Sequence, residues 1–355
     1  MKKFRWIIGG LVAIVALAVV FRGPISMALM RRFAARVMSA DPIAELADGI
    51  HVVLCGAGSP LPDPARSGPC VGIVAGGKLF VVDVGSGASR NMQRMGLPPD
   101  QLAAVFLTHF HSDHIDGLGE LSLQRWIGGT YTTPLPLIGP SGVDEIAAGF
   151  RRAYETDSSY RIAHHGEAVA PPGGRGFDPR AFLPPKPDTD LVVWNQNGLV
   201  VTAFRVDHDP VDPAVGYRFD YGGRSVVISG DTTKSPVIER MARGSDLLVH
   251  EALAPHLVDI LTQAAEQNGR SARAKITRDI LDYHASPVEA AQTAEASGVG
   301  HLLYYHIVPP LLVPGMEAAF VDGVSEAYSG DFTVGTDGTR VSLPSGSDAI
   351  EVSGG

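Results

Sequence analysis

The residues best suited to chemistry form one short segment of the chain. His109, His111, Asp113 and His114 fall within six residues, directly after the strand-like run 102–108. A strand that ends there would deliver all four side chains to one loop, where imidazole nitrogens and a carboxylate oxygen can face metal ions. Donors of this kind, without a thiolate, suit zinc, and also iron or manganese. The segment therefore predicts a metal site.

Two metal ions need more ligands than this loop supplies, and three later residues can provide them. His208, Asp231 and His306 each follow an apolar run typical of a strand. Strand ends on one edge of a sheet open into the same crevice, so we expect these residues to meet the loop there. His164 and His165 are an alternative source of the third histidine ligand. No strand-like run precedes them, and a role in the substrate pocket or in a lid is the preferred interpretation.

The elements around these residues predict an α/β fold. Short strand-like runs alternate with glycine-rich turns and helices over residues 41–345, which favours two sheets packed as a sandwich with helices outside. Asn197-Gly198 marks a hairpin turn, and residues 331–343 predict a closing hairpin on an Asp-Gly turn. Residues 23–40 predict an amphipathic connector helix, and residues 346–355 a flexible tail.

The order of these motifs resembles the metallo-β-lactamase-fold hydrolase superfamily, and within it the branch of ribonuclease Z and the zinc arylsulfatases. The loop reads His-x-His-x-Asp-His, and a histidine, a Gly-Asp-Thr segment and a late histidine follow it. Further resemblance lies at residues 56–60, 82–87, 215–219, 249–252 and 284–291. The resemblance implies an αββα sandwich of two mixed β-sheets flanked by helices, preceded here by a hydrophobic N-terminal helix.

The resemblance also implies a role for each candidate residue. One zinc ion would be bound by His109, His111 and His208 and the other by Asp113, His114 and His306, with Asp231 bridging them. Two cations lower the pKa of a bridging water, and the resulting hydroxide would attack the ester. His284 and Glu251 are the candidate acid pair that protonates the leaving oxygen. Asp113 is assigned a catalytic role as well, and Asp83 is expected to support the ligands through hydrogen bonds.

Three departures from the ribonuclease Z pattern favour a small substrate. Only about twenty residues separate His208 from Asp231, too few for the long basic arm typical of that branch. Residues 307–310 do not match the Phe-Ser-x-Arg motif of the tRNA enzymes, and an exported domain would not meet tRNA. A helix-and-loop segment that resembles the arylsulfatases is expected to contribute three residues to the substrate pocket: Tyr160, Arg161 and His165.

The net charge of −9 argues against a general affinity for nucleic acid, although it is compatible with a local basic patch. We therefore expect a dizinc hydrolase of small anionic esters, either aryl sulfates or phosphodiesters, with no nucleic-acid partner and with a homodimer permitted. The alternative in the same class is a ribonuclease Z-like phosphodiesterase that acts on tRNA 3′ ends. The alternative in a different class is a metal-binding module without turnover, which the complete ligand set disfavours.

The N-terminal segment predicts export and membrane attachment. Basic residues at positions 2, 3 and 5 precede an apolar run from Trp6 to Phe21, which Arg22 closes. About sixteen residues cover roughly 24 Å as a helix, a little less than the ~30 Å of a bilayer core. Residues 1–22 are therefore interpreted as a signal anchor, or as a cleaved signal peptide. The catalytic domain would then be periplasmic and held at the inner membrane.

The two cysteines, Cys55 and Cys70, leave two interpretations open. One ends a strand-like run and the other begins one, on either side of a loop rich in glycine and proline. If these strands form a hairpin, the cysteines face each other and can form a disulfide in an oxidising compartment. Two buried free thiols are equally compatible with the sequence. Neither cysteine has the spacing of a zinc finger.

Overall fold

A computed structural model of the protein describes residues 19 and 21–354. The predicted apolar N-terminal run therefore lies almost entirely outside the described residues. Helix α1 spans Arg22–Ser39 and has no buried residue. It coincides with the predicted connector helix and belongs to a compact unit that ends at Glu45, whereas Leu46–Gly355 forms a second unit.

The second unit is built from strands and helices that alternate along the chain. The strands are β1 Gly49–Gly56, β2 Cys70–Ala75, β3 Lys78–Val82, β4 Leu102–Phe106, β5 Leu135–Pro140, β6 Phe177–Phe182, β7 Leu191–Gln196, β8 Leu199–Arg205, β9 Val215–Tyr221, β10 Arg224–Ile228, β11 Leu247–Leu253, β12 His301–Val308, β13 Asp331–Val334, β14 Arg340–Pro344 and β15 Glu351–Ser353. The helices are α2 Ala88–Arg94, α3 Ser112–Ile115, α4 Leu118–Gly129, α5 Val143–Ala153, α6 Glu155–His165, α7 Pro236–Met241, α8 Pro255–Gln267, α9 Ser271–Asp279, α10 Pro287–Ser297, α11 Met316–Phe320 and α12 Val324–Ala327.

These strands form two mixed sheets. In the described part of the chain, one sheet has eight strands in the order β15-β14-β1-β2-β3-β4-β5-β6, and the other has seven in the order β13-β12-β11-β10-β9-β8-β7. Strands β3 to β6 pair in parallel, as do β10 to β13, and the remaining neighbours are antiparallel. Because the carboxyl ends of parallel strands meet at one edge of a sheet, the loops that follow them share one crevice.

The two sheets pack face to face over an aromatic core. The buried Phe106 ring lies 5.4 Å from the Tyr217 ring and 5.5 Å from the Phe219 ring, both edge-on, which is a favourable geometry for aromatic pairs. Helix α10 covers the outer face of the second sheet with three small buried residues, Ala290, Ala291 and Ala294. The predicted fold of two mixed sheets flanked by helices is confirmed.

Two local features follow the sequence closely. Asn197 and Gly198 have positive φ angles of 52° and 82° and join β7 to β8, which is the backbone conformation of a tight hairpin turn. Strands β1 and β2 form the antiparallel pair expected around the first loop, and Cys55 and Cys70 are joined by a disulfide across it. Of the two interpretations of these cysteines, the structure contains the disulfide.

The C-terminal segment differs from the sequence prediction. The predicted hairpin over residues 331–343 does not form, because β13 pairs with β12 in one sheet and β14 pairs with β1 in the other. The Asp337 carboxylate instead accepts hydrogen bonds from the backbone amides of Ala57 and Ser67, at 2.9 and 2.8 Å, and from Nδ2 of Asn91 at 2.6 Å. The aspartate therefore ties the crossover between the sheets to the loop after β1.

The predicted flexible tail also contains structure. Strand β15 pairs with β14 in antiparallel register, with Val352 opposite Val341. Ile350, just before this strand, packs against the core between the sheets. The packing of Ile350 and the short antiparallel pairing with β14 hold the segment in place. A segment this short has no periodic pattern from which either could be predicted.

Candidate metal centre

The histidine-rich loop begins where strand β4 ends. The backbone leaves the sheet after Phe106, and the four-residue helix α3 follows His111. This helix turns Asp113 and His114 into the protein, and both side chains are buried. The strand end and the single helical turn together bring the donors of the loop close to one another.

Asp83, which follows β3, orients two of the loop histidines. Its buried carboxylate accepts hydrogen bonds from the amide and the hydroxyl of Thr108, both at 2.8 Å, and from Nδ1 of His114 at 2.9 Å. A carboxylate only accepts, so His114 carries its proton on Nδ1 and presents the lone pair of Nε2. Because the Thr108 hydroxyl donates its hydrogen bond to Asp83, its oxygen accepts a hydrogen bond from Nδ1 of His109 at 3.1 Å. Both rings are therefore held in the tautomer that can bind a cation.

The three distant residues meet this loop, and in the described part of the chain three overlapping groups of side chains are able to hold metal ions. Within each group the ligand atoms lie within 4.8 Å of one another: the first is His109, His111, His208 and Asp231, the second is Asp113, His114 and His306, and the third is Asp231, His284 and His306. Oδ2 of Asp231 lies 3.3 Å from Nε2 of both His114 and His306. It lies 3.9 Å from Nε2 of both His109 and His208. Asp231 therefore stands between the first two groups.

The polar atoms at the centre of these groups fit a metal ion. In the part of the chain that the structure describes, four of them are buried and have no hydrogen-bond partner: Nε2 of His109, His114 and His208, and Oδ1 of Asp231. A buried polar atom without a partner is costly, and a cation bound between these atoms removes that cost. Imidazole nitrogens with a minority of carboxylate oxygens are donors that zinc, iron and manganese accept.

The charge states of Asp231 and His109 suit cation binding as well. His114 differs, because burial acts to lower its pKa but Asp231 and then Asp83 outweigh burial and raise this pKa well above the usual value, so a cation would have to displace the His114 proton. Burial acts to raise the pKa of Asp231, but the histidines around it, His306 and His114 foremost, outweigh burial and hold this pKa well below its usual value. Burial lowers the pKa of His109 well below its usual value, and the neighbouring His114 adds to this effect. An ionised carboxylate beside a neutral imidazole is the combination that a metal ion needs.

A second pair of ionisable groups lies beside the cluster. Nδ1 of His284 is 3.2 Å from Oε2 of Glu251, whose buried carboxylate also accepts two backbone amide hydrogen bonds, at 2.9 and 3.3 Å. Burial acts to lower the pKa of His284, but the Glu251 carboxylate more than offsets burial, so this pKa lies above its usual value. Tyr283, the preceding residue, accepts a hydrogen bond from Nδ1 of His208 at 2.8 Å through its carbonyl. One segment thus positions both a ligand and an acid.

A cleft of about 320 Å³ gives access to the cluster. Its polar lining includes His111, Asp113, Asp231, His284 and His306. Its apolar lining includes Pro60, Leu61, Ile276, Ile280 and Val308. The contribution of Ile276 in α9 and of Ile280 just after α9 was not predicted from the sequence. The available signal was their i, i+4 spacing.

The predicted pocket residues Tyr160, Arg161 and His165 lie elsewhere. They belong to α6, a surface helix whose only buried residue is Ser158, and none of them lines the cleft. Tyr160 is 68% exposed, and Arg161 pairs with an aspartate of its own helix at 2.8 Å. The structure therefore does not bring this helix over the site. His164, the alternative ligand, lies on the same helix and outside the metal-capable groups of the described residues.

The fold and the cluster together define a metallo-hydrolase. Residues 63–292 match the model of the metallo-beta-lactamase superfamily, and the chain belongs to that superfamily. It is similar to the ribonuclease Z of Mycobacterium sp. (strain KMS), with 37% identity over 299 residues that cover 84% of this chain and 97% of the relative. The ribonuclease Z of Mycobacterium avium (strain 104) is 38% identical over 297 residues, covering 83% of this chain and 98% of the relative. The predicted resemblance is confirmed.

Solved structures of the same fold agree with this assignment. The metallo-beta-lactamase fold protein YhfI from Bacillus subtilis superposes with a TM-score of 0.58 at 21% identity, over 83% of this chain and 100% of that structure. The short form of human tRNase Z also gives a TM-score of 0.58 at 21% identity, over 83% of this chain and 99% of that structure. At this level of identity the similarity supports the fold alone.

The similarity to ribonucleases contradicts the predicted partners. The prediction of a small anionic ester with no nucleic-acid partner is wrong. The net charge of −9 describes the whole chain, and a net value does not exclude a local basic surface. The short segment between His208 and Asp231 was likewise a poor guide to substrate, because these relatives align along nearly their whole length.

The predicted localisation is contradicted as well. The prediction of a membrane-anchored, periplasmic catalytic domain was linked to a substrate other than RNA. The relatives, however, are ribonucleases. Across residues 19 and 21–354, every helix is too short or too polar to span a bilayer. The apolar run on which the anchor was based falls outside the described residues but for its last positions.

Proposed function

We propose that this chain is a metal-dependent phosphodiesterase that cleaves RNA, with the 3′ ends of precursor tRNA as its substrate. The observation that carries the proposal is the first two metal-capable groups, which lie at an open cleft with Oδ2 of Asp231 3.3 Å from Nε2 of both His114 and His306. The identity of 37% with a ribonuclease Z over 84% of the chain supports the choice of a phosphodiester in RNA.

The metal ions would be held by seven side chains. We assign one ion to His109, His111 and His208 and the other to Asp113, His114 and His306, with Asp231 shared between them. When bound, the ions would supply the positive charge that offsets negative charge at phosphorus and at the leaving oxygen. Zinc is our assignment because imidazole dominates the donor set, while iron and manganese accept the same donors.

His284 is the proton donor in this proposal. Its ring lines the cleft and is held from the side away from substrate by Glu251, 3.2 Å from Nδ1. The Glu251 carboxylate raises the pKa of His284 against the effect of burial. The ring therefore stays protonated to a higher pH than an ordinary histidine. It can then pass that proton to the leaving oxygen as the bond to phosphorus breaks. Glu251 acts through His284 as a positioning residue.

The proposal is tested with the metal-loaded full chain and a precursor tRNA transcript that carries a 3′ extension. We expect removal of the extension by the wild type, and no turnover by His111→Ala or Asp231→Ala. We expect His284→Ala to lower kcat by roughly 10²- to 10⁴-fold, the usual contribution of a general acid, with metal content near that of the wild type.

The matched control is His164→Ala, which removes an exposed histidine of α6 outside the metal-capable groups. It should retain both metal content and RNA cleavage. A metal-loaded wild type that leaves the transcript intact would contradict the proposal. So would an Asp231→Ala variant that keeps two metals per chain and full activity.

A further inference from the structure

A second cavity, of about 430 Å³, lies outside the metal cleft and shares no lining residue with it. It is formed by α4, α5 and the turn Pro172–Gly174, with Trp126 and Tyr154 among its walls. Three arginines line it: Arg151, Arg152 and Arg175. Neither the cluster nor the acid pair described above makes use of this cavity.

Two of these arginines have no partner of opposite charge. Arg152 donates a hydrogen bond to Glu155, the one carboxylate in the lining of the cavity. Within the described residues, the side chains of Arg151 and Arg175 have no hydrogen bond, ion pair or aromatic ring contact. The cavity therefore carries an excess of two positive charges.

Two acids that act on the cavity residue Tyr154 are already paired. Glu120 and Asp157 both act electrostatically on the Tyr154 ring, and burial together with these charges raises the pKa of Tyr154. Glu120 pairs with Arg90 at 3.0 Å, and Asp157 pairs with Arg161 at 2.8 Å. No carboxylate among them is left for the two unpaired guanidinium groups.

The backbone brings these two arginines together. Gly176 has a φ of 75°, and a Cβ built there would meet three side-chain carbons of Arg151 at 3.4 to 3.6 Å. The stem of Arg151 therefore lies directly over the residue that follows Arg175. The helix dipole at the last turn of α5 offers Arg151 some compensation, but Arg175 lies in a loop and gains none. Both guanidinium groups belong to one small cavity, and an anion bound there would be attracted by both charges.

We infer that Arg151 and Arg175 form a binding site for a backbone phosphate of the RNA substrate, away from the cleaved bond. This inference rests on the proposed function. The planar guanidinium group matches the geometry of phosphate oxygens, and the half-buried Tyr154 ring offers a face against which a nucleotide can stack. Gly119 of the cavity wall follows His114 by five residues, at most about 18 Å of backbone, so one RNA molecule can reach both sites.

The test compares the wild type with Arg151→Ala/Arg175→Ala in the full chain. RNA binding is measured by fluorescence anisotropy in the presence of a metal chelator, so that the labelled precursor tRNA is not cleaved. Cleavage is measured separately with the metal-loaded protein. Loss of two phosphate contacts should weaken binding about tenfold or more and lower the slope of log Kd against log salt by roughly 1.8, about 0.9 per contact. The kcat for hydrolysis of bis(p-nitrophenyl) phosphate should not change.

Two further variants complete the test. Arg243→Ala removes an exposed arginine that precedes β11, at the opposite end of that strand from the cluster, and should bind RNA like the wild type. Arg151→Lys/Arg175→Lys keeps both charges and should keep most of the salt slope. Unchanged affinity and slope in the double alanine variant, or a wild type that binds no RNA, would overturn the phosphate site. RNA binding that depends on both arginines, in a protein that never cleaves RNA, would retain the site and reject the proposed function.

Discussion

Replacing Asp83 with asparagine tests how the protein prepares its histidines for metal. The amide can keep its oxygen toward the backbone N–H of Thr108, but it then presents an N–H donor to the Thr108 hydroxyl and to Nδ1 of His114. The proton on the His114 ring must therefore move to Nε2. The Thr108 hydroxyl is no longer forced to accept from His109. Both rings lose the tautomer that leaves Nε2 free for a cation.

The size of the effect follows from these contacts. A partner that orients a metal-binding histidine through hydrogen bonds typically contributes 10- to 100-fold to metal affinity, and each factor of ten corresponds to about 1.4 kcal/mol. His109 and His114 belong to different metal-capable groups. We therefore expect Asp83→Asn to weaken metal binding in both groups, by about 1.4 to 2.8 kcal/mol in each.

The assay is an equilibrium competition with a chromophoric zinc chelator. The matched control is Asp246→Asn, because this carboxylate accepts a backbone hydrogen bond from Ser225 at 2.7 Å and pairs with Arg224 at 2.9 Å, just before β11 begins. Both variants replace a structural aspartate, so both should unfold more easily than the wild type. Only Asp83→Asn should bind zinc more weakly. Equal zinc affinity in the two variants would refute the reasoning.

Three further predictions concern the acid pair, the disulfide and the crossover between the sheets. Glu251→Gln removes the charge that raises the pKa of His284, so the alkaline limb of the pH profile of kcat/KM should move to lower pH; an unmoved limb would exclude His284 as the acid. Reduction of the Cys55–Cys70 disulfide, which closes a loop of 15 residues, should lower the free energy of unfolding by about 3 kcal/mol in urea titrations. Asp337→Ala leaves the backbone amides of Ala57 and Ser67 without their acceptor and removes one of three partners of Nδ2 of Asn91, so it should cost about 3 kcal/mol; a loss below about 1 kcal/mol would show that water replaces the carboxylate.

Much of the fold was accessible from local patterns. The alternation of apolar runs with glycine-rich turns predicted two sheets with outer helices, and Asn197-Gly198 marked its hairpin because both residues tolerate a positive φ. The closing hairpin failed for a physical reason. An Asp-Gly pair favours a turn but does not choose the partner strands, and here the carboxylate of Asp337 binds another loop and separates the two strands into different sheets.

The types of side chain at the site were also accessible, because metal chemistry restricts donors to a few residue types and short spacings expose them. Substrate and location were not. The export prediction came from composition at one end of the chain, and the small-ester prediction came from motif differences, the expected export and the net charge. Neither quantity describes the surface that a substrate meets, and the relatives contradicted both predictions.

The sequence by itself determined the donors, the strands that carry them and the superfamily, since each is encoded in neighbouring residues. Only the tertiary structure decided which residues surround those donors. It added the apolar Ile276 of α9 to the lining of the metal cleft, left α6 out of that lining, and placed Arg151 and Arg175 in one cavity without a counter-charge. The reason is physical: such contacts join residues far apart in the chain, and the packing of complete sheets and helices selects them.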